Sequence, residues 1–136
     1  MKKIASCICL LAVIVFFNGC KTDSDARKVL VFTKTKGYHH ESIPAGVAAI
    51  EQIGKENNFS VDVDSNSTVF NDDDLKQYKA VIFLSTTGNI LNSDEQVAFQ
   101  RYIEAGGGFM GIHAAADAEY NWACLKRLLK FQTLKR

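Results

Sequence analysis

All three histidines of this chain follow runs that are typical of buried strands. His39 and His40 lie in a polar stretch after the apolar run 28–33, and His113 comes directly after the run 109–112. Imidazole titrates near neutral pH and is a common metal ligand, so these positions could supply a general base or a metal site. A single histidine at a strand end is also common as a structural residue, and the pattern alone leaves both interpretations open.

Two chemistries fit the residue types around these histidines. His40 and His113 could hold zinc or another divalent ion that keeps a position open for a substrate oxygen. Alternatively, His113 could act as a general base that the carboxylate of Asp117 or Glu41 orients. The spacing does not decide between a metal site and acid–base catalysis.

Alternating strands and helices predict how these residues are positioned. Strands are expected at 28–33, 59–63, 80–84 and 109–112, with helices at 43–56 and 93–103 and a capping box from Ser93 to Gln96. This order predicts an α/β protein with a parallel sheet, whose strands all end at one edge. Loops 33–41, 85–89 and 111–117 should meet there. The expected catalytic residues at that edge are His113 and Asp117, and the expected substrate-binding residues are His39, His40, Glu41, Thr87 and Gly88.

The first part of the chain indicates export. Lys2 and Lys3 precede a short apolar run, and the following Phe17-Asn18-Gly19-Cys20 resembles the lipobox of bacterial lipoproteins. This resemblance implies a signal peptide at 1–19, a lipid on Cys20 and a polar tether at 20–27. The protein would then be anchored to the membrane through that lipid, on the periplasmic or outer-membrane face of a bacterial cell envelope. The formal net charge of +1 argues against a nucleic-acid partner.

Three segments together resemble the ThuA-like family, named for trehalose utilisation. They are residues 29–43 (VLVFTKTKGYHHESI), 83–88 (FLSTTG) and 107–117 (GGFMGIHAAAD), within a match over 28–122. The resemblance implies a flavodoxin-like, class I glutamine amidotransferase-like fold and a link to sugar metabolism. His113 occupies the place that resembles the nucleophile elbow, where the amidotransferases carry cysteine, so a glutaminase is not expected.

The basic segment 123–136 does not resemble the continuation of that family, whose members extend further. We therefore expect an aberrant tail and a fold that is incomplete at the C-terminus. The predicted function is that of an exported lipoprotein whose ThuA-like domain binds or transforms a carbohydrate-type small molecule. The alternatives are a non-enzymatic sugar-binding or scaffold domain of the cell envelope and an inactive, truncated fragment.

Overall fold

The computed structural model describes residues 27–127. The predicted signal peptide, the lipidation site Cys20, the tether up to residue 26 and the tail from residue 128 lie outside the described residues. Within the part described, no helix is long and apolar enough to cross a membrane.

A four-stranded parallel sheet forms the centre of the fold. Its strands are β1 (Lys28–Phe32), β2 (Ser60–Asp64), β3 (Ala80–Leu84) and β4 (Gly108–Ile112), in the spatial order β2-β1-β3-β4. All three neighbouring pairs are parallel, so the predicted α/β architecture is confirmed. The chain progresses outwards in opposite directions from β1, which places a topological switch point between β1 and β3. Ligands of open α/β sheets bind at such a point, beyond the carboxyl ends of the strands.

Helices connect the strands on both faces of the sheet. They are α1 (Ile43–Asn57), α2 (Asp72–Leu75) and α3 (Ser93–Glu104), with 3-10 helices at Ser67–Val69 and His113–Asp117. The predicted capping box is wrong by one residue. Asn92 caps α3 by accepting a hydrogen bond from the Glu95 amide, and the Glu95 carboxylate accepts one from the Asn92 amide in return. Both residue pairs satisfy the three-residue spacing of the motif, and the path of the incoming chain selects Asn92.

An aromatic core fills the face of the sheet that α2 and α3 cover. Phe70 lies edge-on to Phe32 at 4.7 Å and to Phe99 at 5.2 Å between ring centroids, and Phe83 stacks on Phe99 at 5.5 Å. Such pairs stabilise a core beyond the area that they bury. Leu125 is 0% exposed and belongs to this same cluster, in a stretch that is helical over 123–127. The described beginning of the expected tail therefore packs as part of the domain.

Candidate functional site

Three strands deliver the predicted site residues to one edge of the sheet. The loop after β1 carries His39 and His40, the loop after β3 carries Thr87 and Gly88, and His113 begins the 3-10 helix that follows β4. Isolated bridges join the loops pairwise: Thr35 pairs with Thr87, and Gly88 pairs with Ala118. The β3 loop thus lies between the other two and fixes their separation.

A cluster of three rings forms at this edge, and we call it the rim cluster: Tyr38, His40 and His113. The centroid of the His40 ring lies 4.5 Å from that of His113 and 4.8 Å from that of Tyr38. His113 is exposed, His40 is half-buried, and Tyr38 is 69% exposed. The rim cluster therefore presents aromatic surface and titratable nitrogen atoms together to solvent.

His113 is held in an unfavourable backbone conformation. Its φ angle is 55°, in the left-handed region, directly after the extended Ile112 at the end of β4. Residues other than glycine are uncommon in this region, where asparagine, aspartate and histidine are found more often than the rest, and such strain is concentrated at functional sites. The conformation turns the chain sharply enough to present the imidazole at the rim, as an elbow between strand and helix does.

The Thr87 hydroxyl is engaged in holding the β1 loop. It accepts a hydrogen bond from the Gly37 amide at 3.3 Å and donates one to the Tyr38 carbonyl at 2.9 Å, while the Thr87 carbonyl accepts from the Lys36 amide. Gly88 has a φ of 79°, and a Cβ there would lie 3.3 Å from the Lys36 Cβ. These contacts hold Tyr38 in place within the rim cluster. A role of Thr87 and Gly88 in substrate binding stays a prediction.

His113 begins and Asp117 ends the same 3-10 helix, but the two side chains have different partners. The Asp117 carboxylate accepts a hydrogen bond from the exposed Tyr120 hydroxyl, and this bond raises the pKa of Tyr120. His113 contacts the ring of His40. Glu41 is exposed, and His39 lies within 3.3 Å of the Thr35 hydroxyl through its Nδ1 atom. The arrangement pairs His113 with the imidazole of His40, which the sequence predicted as a substrate-binding residue and as a metal ligand.

A buried carboxylate that sequence reasoning missed holds the loops together. Glu119 is 1% exposed and has a φ of 54°. Its Oε1 atom accepts hydrogen bonds from the Ile90 and Leu91 amides at 2.5 and 2.7 Å, and its Oε2 atom accepts one from Gln96 at 2.6 Å. Since the Glu119 amide also donates to the Gly88 carbonyl, this residue ties the β3 loop to the segment after β4. Nothing in the local sequence distinguishes it from a surface glutamate.

A metal ion at the rim would have two protein ligands from the described residues, His40 and His113. Zinc sites in enzymes generally have three protein ligands. Residues 27–127 contain no group of three or more His, Cys, Asp or Glu side chains placed to hold a metal ion. Any further ligands would have to come from solvent, from a bound substrate or from residues outside that range.

The fold and the elbow define the class of protein. The order β2-β1-β3-β4 with a sharp turn after β4 is that of a flavodoxin-like, class I glutamine amidotransferase-like protein, with histidine at the elbow. The sequence matches the ThuA family, described as trehalose utilisation, over residues 28–133, and the chain belongs to this family. That match continues past Trp122, where the domain was expected to end.

Among solved structures, the chain is similar to a ThuA-like protein from Bacteroides uniformis. The two share 22% sequence identity with a TM-score of 0.60, over 76% of this chain and 43% of that protein. The likeness supports the fold, and the chain spans less than half the length of this relative. A search among curated proteins finds no match to this sequence.

Proposed function

We propose that this ThuA-family domain binds or transforms a carbohydrate-type small molecule at the rim cluster. The observation that carries the proposal is the left-handed His113, whose ring lies 4.5 Å from that of His40 at the carboxyl edge of the sheet. Strain at a residue that is exposed and lies outside the core supports a ligand that needs the imidazole there. The family description of trehalose utilisation supports a carbohydrate as that ligand.

In an enzyme of this kind, one imidazole of the pair would act as a general base and accept a proton from a sugar hydroxyl. The Asp117 carboxylate, at the end of the 3-10 helix, would orient this pair. In the alternative form of the proposal, His40 and His113 bind zinc.

Binding and turnover are tested with the full chain and a panel of neutral mono- and disaccharides. Calorimetry should detect binding that His113→Ala abolishes and that the exposed-site control Glu104→Ala retains. Formation of a new sugar product by the unaltered chain would establish an enzyme. Binding without product would favour the second candidate, a sugar-binding domain. The hydrogen bond of Asp117 to Tyr120 supports that candidate, because it engages the carboxylate away from His113. If no sugar binds, the carbohydrate proposal is wrong.

The export part of the proposal depends on Cys20 and is tested separately. In a bacterial host, the chain should incorporate labelled fatty acid and fractionate with membranes. Cys20→Ala should lose the label and be released. A labelled Cys20→Ala variant, or an unlabelled parent chain of full length, would refute lipidation at this residue.

A further inference from the structure

A polar cavity opens between the loops that follow β1 and β2. It has a volume of about 440 Å³ and is lined by Thr33, Lys34, Thr35, His39 and Ser65. Small-molecule sites commonly have volumes of about 300–1,000 Å³. His39 lines this cavity, and its neighbour His40 belongs to the rim cluster, so one ligand could reach both places.

Lys34 supplies the positive charge of this cavity. Its ammonium group donates a hydrogen bond of 2.6 Å to the hydroxyl of Ser67, which is buried. Among residues 27–127, Lys34 has no carboxylate within ion-pair distance, whereas Lys28 is paired with Asp62 and Lys76 with Asp73. An ammonium group has three N–H donors, so two remain for a ligand.

The hydroxyl and imidazole groups of the cavity are partly fixed by bonds within the protein. The Thr33 hydroxyl donates to the Asp64 carbonyl at 3.4 Å, and the Thr35 hydroxyl lies 3.3 Å from Nδ1 of His39. Nδ1 is thereby occupied, and Nε2 of His39 is left for a ligand. A half-buried ammonium group without a charged partner, beside hydroxyls and an imidazole, is suited to an anionic oxygen.

We propose that this cavity binds the anionic group of an acidic carbohydrate, a carboxylate or a phosphate, through Lys34. The ring of the sugar would extend past His39 towards the rim cluster. The inference rests on the proposed function for the identity of the sugar part, but the anion subsite itself depends on Lys34 and Ser67.

The experiment is calorimetry of the full chain with four probes: glucose, gluconate, glucose 6-phosphate and inorganic phosphate. We expect at least one anionic sugar to bind about tenfold or more tightly than glucose, since a charge-assisted bond is gained. Lys34→Met should abolish this difference while leaving the affinity for glucose unchanged. The matched control is Lys36→Met, in the same loop, where the lysine is exposed and lies outside the cavity; it should retain the difference. Raising the salt concentration should reduce the difference.

Gluconate carries a carboxylate and glucose 6-phosphate carries a phosphate, so the difference between their affinities shows which anionic group the cavity prefers. Equal affinity for glucose and both anionic sugars, or a preference that survives Lys34→Met, would overturn the inference. If Lys34→Met does not fold, Ser67→Ala replaces it and should weaken anion binding by releasing the ammonium group; unchanged binding in that variant also overturns it. Inorganic phosphate that binds through Lys34 in a chain without affinity for any sugar would support the anion subsite and refute the carbohydrate proposal.

Discussion

Replacing His113 by glycine should stabilise the protein relative to replacing it by alanine. Both variants lose the contact with the His40 ring, but only alanine retains the left-handed strain at φ 55°. That strain costs about 1–2 kcal/mol for a residue with a Cβ. Against it stands the greater freedom of glycine in the unfolded chain, about 0.5–1 kcal/mol. His113→Gly should therefore exceed His113→Ala in free energy of unfolding by up to about 1.5 kcal/mol.

Ala116 provides the matched control, because it is exposed and lies in the same 3-10 helix without a left-handed backbone. Ala116→Gly should destabilise the protein by about 0.5–1 kcal/mol. Urea unfolding followed by the fluorescence of Trp122 measures all variants, since this single tryptophan packs against Phe99 in the core.

Glycine in place of alanine should therefore raise the free energy of unfolding at residue 113 and lower it at residue 116. An equal loss at residues 113 and 116 would refute the reasoning, because it would show that His113 is not strained in solution. If His113→Gly is more stable than the unaltered protein and binds no sugar, the histidine lowers stability at this position in return for function.

Three other predictions concern the supports of the site. Glu119→Ala should lower the free energy of unfolding by about 3–5 kcal/mol, because it leaves two buried amides without an acceptor. In the same urea titrations, the exposed control Glu104→Ala should change the free energy of unfolding by less than about 0.5 kcal/mol. Gly88→Ala should cost about 1–3 kcal/mol through its φ of 79° and the nearby Lys36, and a thermal melt unchanged from the parent would contradict the assigned backbone. Burial and the Asp62 carboxylate raise the pKa of Tyr78 from 10.0 to about 12, so its contribution is complete below pH 10.0 and is lost as pH rises towards 12. The alkaline loss of stability should be smaller in Tyr78→Phe, and an unchanged pH profile would count against this linkage.

The sheet was predictable because its signals are local and repeated. Each of the four predicted strand segments became a strand. The segment that alternates polar with apolar residues, β2, lies at an edge of the sheet, where one face of a strand is less buried. The family was predictable from the segments around His39, His40 and His113, and the match over 28–133 confirms it. Helix starts were less well defined, since Asn92 and Ser93 both fit the capping rule and only the chain path selects one.

The sequence by itself determined the parallel α/β architecture, the family and the three loops that could carry chemistry, because periodicity and motifs are properties of neighbouring residues. Only the tertiary structure decided how those loops face one another. It placed the His113 ring against His40, engaged the Thr87 hydroxyl with the β1 loop, and buried Glu119 beneath the amides of Ile90 and Leu91. These are contacts between residues up to 73 positions apart, or left-handed turns that a histidine or a glutamate adopts only under constraint from the surrounding fold. No local pattern encodes either of them.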